Sequence, residues 1–442
     1  MEILRGRRLL ASELPKGKCD VTEEVQRLPC MRELSKDKIQ CLRCGSCFNK
    51  KEVEVQNELF TYYYCSACLT LGCVTSHEQF YYLPSQMVKP LKNALQWNGQ
   101  LSSRQAIVSK KLRDNVEVKK HTLIHAVTGA GKTEMLFESL DYALEKGWRI
   151  GLASPRVDVC LELHPRLQQA FPKKELTLLY GKAEKPDYYT SFVICTTHQL
   201  LRFYHHFDLL IIDEVDAFPF KGNKMLAYGA NQALAKGGVY VILTATPSRQ
   251  LLLAEKTGKI ERQVLSKRYH GNPLPEPQLV WSWKWAERLN DGKMPANLYA
   301  ILQKAMSNQR RMLIFMPSVL LAEKLYQLLI KYFKQVRIMV AHSRDPERYD
   351  KTMAMREARC DWLITTTILE RGVTFRDIDV LVVGANHSVF NTASLVQIAG
   401  RVGRHADYPT GNVYFFHDQQ TTAIKNARRE IKRMNQLEGV EK

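Results

Sequence analysis

Short apolar runs, bounded by Gly, Ser, Thr or charged residues, recur along most of the chain, with amphipathic segments of helical length between them. The first series is 121-HTLIHAV, 149-RIGLAS, 176-LTLLYG, 192-FVICTT, 208-DLLIID and 239-VYVILTA. A second, 312-MLIFMP, 336-VRIMVAH, 362-WLITTT, 379-DVLVVGA and 412-NVYFF, follows a proline-rich bridge, 271-GNPLPEPQL. Runs that are apolar throughout suit strands covered on both faces of a parallel sheet. Their alternation with helical stretches predicts two parallel-sheet α/β domains in tandem, over residues 89–270 and 271–442. Residues 1–88 lack this rhythm and read as a separate Cys- and Tyr-rich module. Trp281, Trp283 and Trp285 alternate, which predicts one face of a strand packed against the second domain, with base stacking as the competing use. The closing stretch, from 421-TTAIKNARREIKRMNQ, reads as a basic helix with a polar tail.

Composition narrows the class. A hydrophobic fraction of 45% excludes a disordered chain, and no apolar run reaches the roughly 18 residues of a membrane-spanning helix. The N-terminal MEILRGRRLLASELPKG has basic residues but no apolar stretch of about 7 to 15 residues after them, so no secretory signal is read. A cytoplasmic protein is expected, with any membrane contact peripheral, on the inner face. Its 11 Cys are then thiols or metal ligands. The formal net charge is +19, and the excess grows along the chain: 14 basic against 11 acidic residues in 1–100, 20 against 15 in 101–250, and 30 against 19 in 251–442. Such a surplus attracts polyphosphates, nucleic acid ahead of anionic membrane.

The run 121-HTLIHAV is followed by 128-TGAGKTE and an amphipathic stretch, the strand, glycine loop and helix order of a phosphate-binding loop. Gly129 and Gly131 permit turns whose amides, with those of Thr128 and Ala130, surround a phosphate at a helix start. Lys132 supplies a charge to the β- and γ-phosphates, and the Thr133 hydroxyl suits Mg²⁺. Ala126 stands where the strict pattern has Gly. The apolar run 208-DLLII sets Asp213 at the C-terminal edge of a strand, where it can hold Mg²⁺, with Glu214 suited to polarise water and Asp216 in support.

Near the N-terminus, Cys41 and Cys44 form one C-x₂-C pair and Cys65 and Cys68 another, the spacing of a four-thiolate Zn²⁺ site. The segments 52-EVEVQ and 60-FTYYY between them suit a hairpin, so a zinc ribbon is predicted over about 39–75. Cys47, Cys73 and His77 lie close enough to replace a chosen ligand. Tyr62, Tyr63, Tyr64, Tyr81 and Tyr82 can form the core of so small a module or stack bases.

These motifs, in this order, resemble those of superfamily 2 (DEAD/DEAH-like) helicase-type ATPases over both α/β domains. The resemblance implies two RecA-like domains that bind ATP. It makes Gln105 of 101-LSSRQ the adenine contact, 154-SPRVDV and 196-TTHQLL elements that touch a nucleic-acid strand, and 244-TATP the coupling element. In the second domain it covers 365-TTTILERGVTF, where Gly372 admits backbone to the nucleotide cleft, and 397-QIAGRVGR. There Gln397 orients the γ-phosphate or water, and Arg401 and Arg404 are arginine fingers completed by domain closure. A four-cysteine ribbon ahead of the motor further resembles the ComFA family of late competence proteins. That resemblance implies a single-stranded-DNA-dependent ATPase that drives transforming DNA across the cytoplasmic membrane, with ComFC, DprA and the membrane DNA channel as partners. PriA-like replication-restart helicases, RNA helicases and a non-enzymatic DNA-binding scaffold are the competing readings. Homo-oligomerisation stays open.

Overall fold

The computed structural model describes residues 2–14, 24–57, 59–181, 190–370 and 373–437. The chain divides into two compact units: Met1–Ile124 with Thr133–Thr244 and Ser248–Gln263, and His125–Lys132 with Ala245–Pro247 and Val264–Lys442.

In the first unit the N-terminal module is built of short antiparallel pieces. Strands β1 (Gln26–Pro29), β2 (Met31–Ser35), β3 (Lys38–Cys41), β4 (Cys47–Asn49), β5 (Glu54–Gln56), β6 (Thr61–Tyr63) and β7 (Gln79–Tyr82) form a β2-β3-β4 sheet, a β5-β6 hairpin and a β1-β7 pair. The hairpin is the one expected between the two cysteine pairs. Such small sheets bury little by themselves. Cys41, Cys44, Cys65 and Cys68 therefore join Leu10, Ile39, Val53 and Phe80 in one core, which extends to Leu201 and Leu226 of the neighbouring α/β layer.

That layer runs α1 (Ser103–Glu117), β8 (Thr122–Ala126), α2 (Phe137–Glu145), β9 (Ile150–Ser154), α3 (Val157–Ala170), β10 (Thr177–Leu179), β11 (Phe192–Thr196), β12 (Phe207–Ile212), α4 (Lys224–Ala233), β13 (Leu234–Thr244), α5 (Arg249–Lys256) and β14 (Glu261–Leu265). Its sheet has the order β10-β11-β9-β12-β13-β8-β14. Every residue of β8, β9 and β11 is buried, the physical counterpart of their unbroken apolar runs.

The second sheet, order β15-β20-β19-β16-β18-β17, is parallel throughout. Its elements are β15 (Gln278–Trp281), α6 (Trp285–Asn290), α7 (Ala296–Ser307), β16 (Arg311–Phe315), α8 (Val319–Tyr332), β17 (Ile338–Ala341), α9 (Arg348–Arg356), β18 (Trp362–Thr365), β19 (Ile378–Val383), α10 (Thr392–Ala399), β20 (Val413–His417) and α11 (Thr422–Gln436). Two RecA-like parallel-sheet domains result, as the apolar pattern and the family resemblance led us to expect, with the four-cysteine cluster that the cysteine spacing predicts in the N-terminal module.

The tryptophan expectation is corrected. Strand β15 stops at Trp281, and Lys284 adopts a left-handed φ of 52° that turns the chain into α6. Trp285 alone is buried, while Trp281 and Trp283 are exposed and stack on each other at 6.3 Å. Among the described residues no helix is long and apolar enough to cross a membrane.

Candidate nucleotide and metal sites

The phosphate-binding loop leaves β8. Gly129 and Gly131 have φ of 84° and 68°, a region that side-chain-bearing residues rarely adopt, so both glycines are required by the turn. The chain then enters a 3-10 turn, Glu134–Leu136, that continues as α2. Lys132 is half-buried and Thr133 buried. Upstream, Ser102 and Gln105 cap α1 reciprocally: the Ser102 amide donates to Gln105 Oε1 at 2.8 Å, and the Gln105 amide to Ser102 Oγ at 3.4 Å. The cap fixes the rotamer of the residue expected to meet adenine.

Asp213 follows β12, which lies one strand from β8 in the sheet. Its amide donates to the Ala153 carbonyl at 2.8 Å, tying it to the end of β9. Glu214 has a φ of 55° and donates its amide to Asp213 Oδ1 at 2.8 Å. A non-glycine residue held there costs about 1–3 kcal/mol and is found where function over-determines the backbone. The two consecutive carboxylates thus follow an unusual backbone turn at the C-terminal end of β12. Asp216 is buried.

Within the second unit the Thr128 hydroxyl donates to Gln397 Oε1 at 2.9 Å. Arg401 is fully buried: its Nε donates to the Glu370 carbonyl at 2.9 Å and its Nη1 to that of Val373. Arg404 reaches the Gly400 carbonyl at 3.2 Å and Thr374 Oγ1 at 3.5 Å. The two arginines expected as fingers thus stand in different surroundings, one locked to backbone and one half-exposed. Gly372 lies outside the described residues.

Sequence motifs did not flag Arg268. It is buried, donates to the Gly403 carbonyl at 2.6 Å and packs its side chain across Gly129, while the Tyr269 amide donates to the Gly129 carbonyl at 3.1 Å. Burial, and then the charge of Arg404, pulls its guanidinium down to about 9. Its only sequence signal is a basic residue in a linker, which has no specificity.

In the N-terminal module the sulfurs of Cys41, Cys44, Cys65 and Cys68 all lie within 4.8 Å of one another, Cys41 to Cys68 at 3.8 Å and Cys44 to Cys65 at 3.6 Å. Sulfurs at about 2.3 Å from a tetrahedral Zn²⁺ stand roughly 3.8 Å apart, so the four thiols fit that ion. Cys47 and Cys73 are exposed, and His77 packs in a ring cluster with Phe60 and Tyr62, so none of the three joins the group. Hydrogen bonding to Cys41 draws the Cys44 thiol down and pushes Cys65 and Cys68 up. With all four ionised, thiolates this close together would require a cation to offset their repulsion.

Two parallel sheets with a phosphate-binding loop after one strand, an Asp-Glu pair after another and paired arginines on the second domain define a helicase-type ATPase of superfamily 2. Residues 294–406 match the family model described as helicase conserved C-terminal domain, and residues 98–249 that of the type III restriction enzyme res subunit. The chain is 41% identical over 425 residues to competence protein ComFA of Streptococcus pneumoniae, covering 95% of this chain and 96% of that protein. With ComFA of Bacillus subtilis it is 36% identical over 451 residues, covering 99% and 95%. The DEAD-box helicase Mss116 bound to ssRNA and UDP-BeF has a similar fold, with a TM-score of 0.55 at 16% identity over 78% of this chain and 84% of that one. The chain belongs to the ComFA family of competence proteins.

Proposed function

We propose that the protein is an ATP-driven single-stranded DNA translocase that moves transforming DNA across the cytoplasmic membrane during competence. The observation that supports this most is one chain combining the phosphate-binding loop, the strained Asp213–Glu214 turn and the four-sulfur cluster in a ComFA-family sequence. In this reading Lys132 and the loop amides hold the triphosphate, Thr133 and Asp213 hold Mg²⁺, Glu214 polarises the attacking water, and Gln397 and Arg404 sense the γ-phosphate. Gln105 reads adenine. Cys41, Cys44, Cys65 and Cys68 hold a structural Zn²⁺. DNA binding draws the two motor domains together around Mg-ATP, so that hydrolysis becomes a step along the strand. ComFC, DprA and the membrane channel are the partners the family suggests.

Phosphate release measured with single-stranded DNA, RNA and neither tests the reading. Stimulation by DNA above RNA is expected, and equal or RNA-only stimulation overturns it. Lys132→Ala should reduce turnover to background while DNA affinity, read by fluorescence anisotropy, stays within about twofold, because a phosphate-binding charge lost from a separate site leaves the strand contacts intact.

A further inference from the structure

One buried carboxylate beside the cysteine cluster belongs to neither site. Glu13, almost fully buried, accepts from three directions: the Leu10 amide at 3.0 Å, Arg202 Nε at 2.7 Å and Arg43 Nη2. Arg43 sits inside the knuckle between Cys41 and Cys44, fully buried, over the Phe80 ring and with Nη1 on the Gly72 carbonyl at 3.4 Å. Arg202 ends the 3-10 turn Gln199–Arg202, which follows β11 within 196-TTHQLLR. Its Nη1 donates to Gln199 Oε1 at 2.9 Å and its Nη2 to the Leu71 carbonyl at 2.9 Å, three residues beyond Cys68. The Arg8 amide closes the arrangement on the Arg202 carbonyl at 2.7 Å.

Two guanidiniums out of water are tolerated only if a carboxylate stays between them with both bonds made. The position of Arg43 is set by the knuckle, and the knuckle's shape by four sulfurs that converge within 4.8 Å of one another, a spacing that fits one ion. That constraint passes through Glu13 to Arg202 and from Arg202 to Gln199. All of these residues lie in one compact unit, so the chain of contacts is continuous.

We infer that Glu13 is a positioning residue that couples occupancy of the four-cysteine site to the conformation of the segment 196–202, and so to its grip on a nucleic-acid strand. The inference rests on the proposed reading in which that segment touches single-stranded DNA. Loss of the ion lets the knuckle and Arg43 move, Glu13 cannot satisfy both arginines, and Gln199 loses its fixed partner. The module then acts on DNA binding without touching the strand.

The test measures binding of labelled oligo-dT by full-length wild type and Glu13→Gln, each zinc-loaded and zinc-stripped, with mant-ADP affinity and bound zinc as controls. Stripping should weaken oligo-dT binding by wild type at least about fivefold, the lower end of ordinary coupling between sites. Zinc-loaded Glu13→Gln should show a similar loss while keeping zinc and mant-ADP affinity, and stripping it should add less than about twofold, because the two changes break one path. Wild-type binding indifferent to zinc overturns the coupling, as do losses that multiply in the variant. If Glu13→Gln also loses mant-ADP affinity, Glu13→Asp replaces it: one methylene shorter, it should bind oligo-dT more weakly than wild type, and equality with wild type overturns the inference. Failure of zinc-loaded wild type to bind oligo-dT at all overturns the translocase reading, a result distinct from zinc-independent binding.

Discussion

At the scale of single residues, two arginines three positions apart carry different burdens. Arg401 donates to the carbonyls of Glu370 and Val373 from a fully buried position, so removing it leaves buried acceptors without donors, at about 1–3 kcal/mol. Arg404 is half-exposed and holds longer bonds to Gly400 and Thr374. Arg401→Ala should therefore lower the melting temperature by several degrees, whereas Arg404→Ala should melt like wild type and lose about 10³-fold or more in kcat, the usual worth of an arginine finger. Thermal melts with steady-state ATPase on both variants check the contrast. Equal melting losses would place Arg404 in the scaffold as well. The family resemblance gave both arginines of 397-QIAGRVGR one role, and the motif could not distinguish their surroundings, which depend on backbone carbonyls some thirty residues upstream. Arg268 was beyond reach for the same reason: its partners are carbonyls and a glycine face, which leave no trace in spacing.

Among elements, legibility followed how completely local pattern and tertiary burial agreed. The apolar runs became buried strands because a parallel sheet covered by helices leaves no wet face for a polar alternate. The tryptophan alternation failed because β15 stops at Trp281 and the chain turns through a left-handed residue, Lys284, into α6, and no glycine or asparagine there announced the turn. The cysteine pairs were legible as a cluster from spacing, and among the seven neighbouring donors the four paired sulfurs converge while Cys47 and Cys73 face solvent. That choice has a consequence at the level of the module. Its sheets are short, and its core is built around the four sulfurs, so a metal bound there, as proposed, would substitute for missing apolar area. Cys41→Ala should lose the bound zinc, measured by mass spectrometry of the native protein, and should make the N-terminal module susceptible to limited proteolysis. Cys47→Ser should retain one zinc per chain and resist protease like wild type. Zinc retained in Cys41→Ala would remove that residue from the ligand set.

For the whole molecule, the net charge of +19 asks where a polyanion would be held. Helix α11 offers one answer. It buries Ile424, Ala427, Ile431 and Met434 along one stripe, which turns Lys425, Arg428, Arg429, Lys432 and Arg433 outward. Of these, Arg433 pairs with Glu430 at 2.9 Å, which reduces its availability to a phosphate. A helix face of this kind is either a solvated surface or part of a strand-binding track, and salt separates the two. Each phosphate neutralised on a single strand contributes about −0.7 to the slope of log affinity against log salt. Oligo-dT binding by the whole protein should fall by about 10²-fold between 50 and 200 mM salt if roughly five phosphates are held. Replacing Lys425, Arg429 and Lys432 together by Gln should make the slope shallower by about 2 if all three hold phosphates, and should weaken binding alike on every base sequence. The same variant should keep wild-type ATPase in the absence of DNA, because these residues lie outside the nucleotide loop and the arginine turn. An unchanged slope with an unchanged fold would assign the α11 cations to solvation alone, and the strand would then have to be gripped elsewhere on the protein.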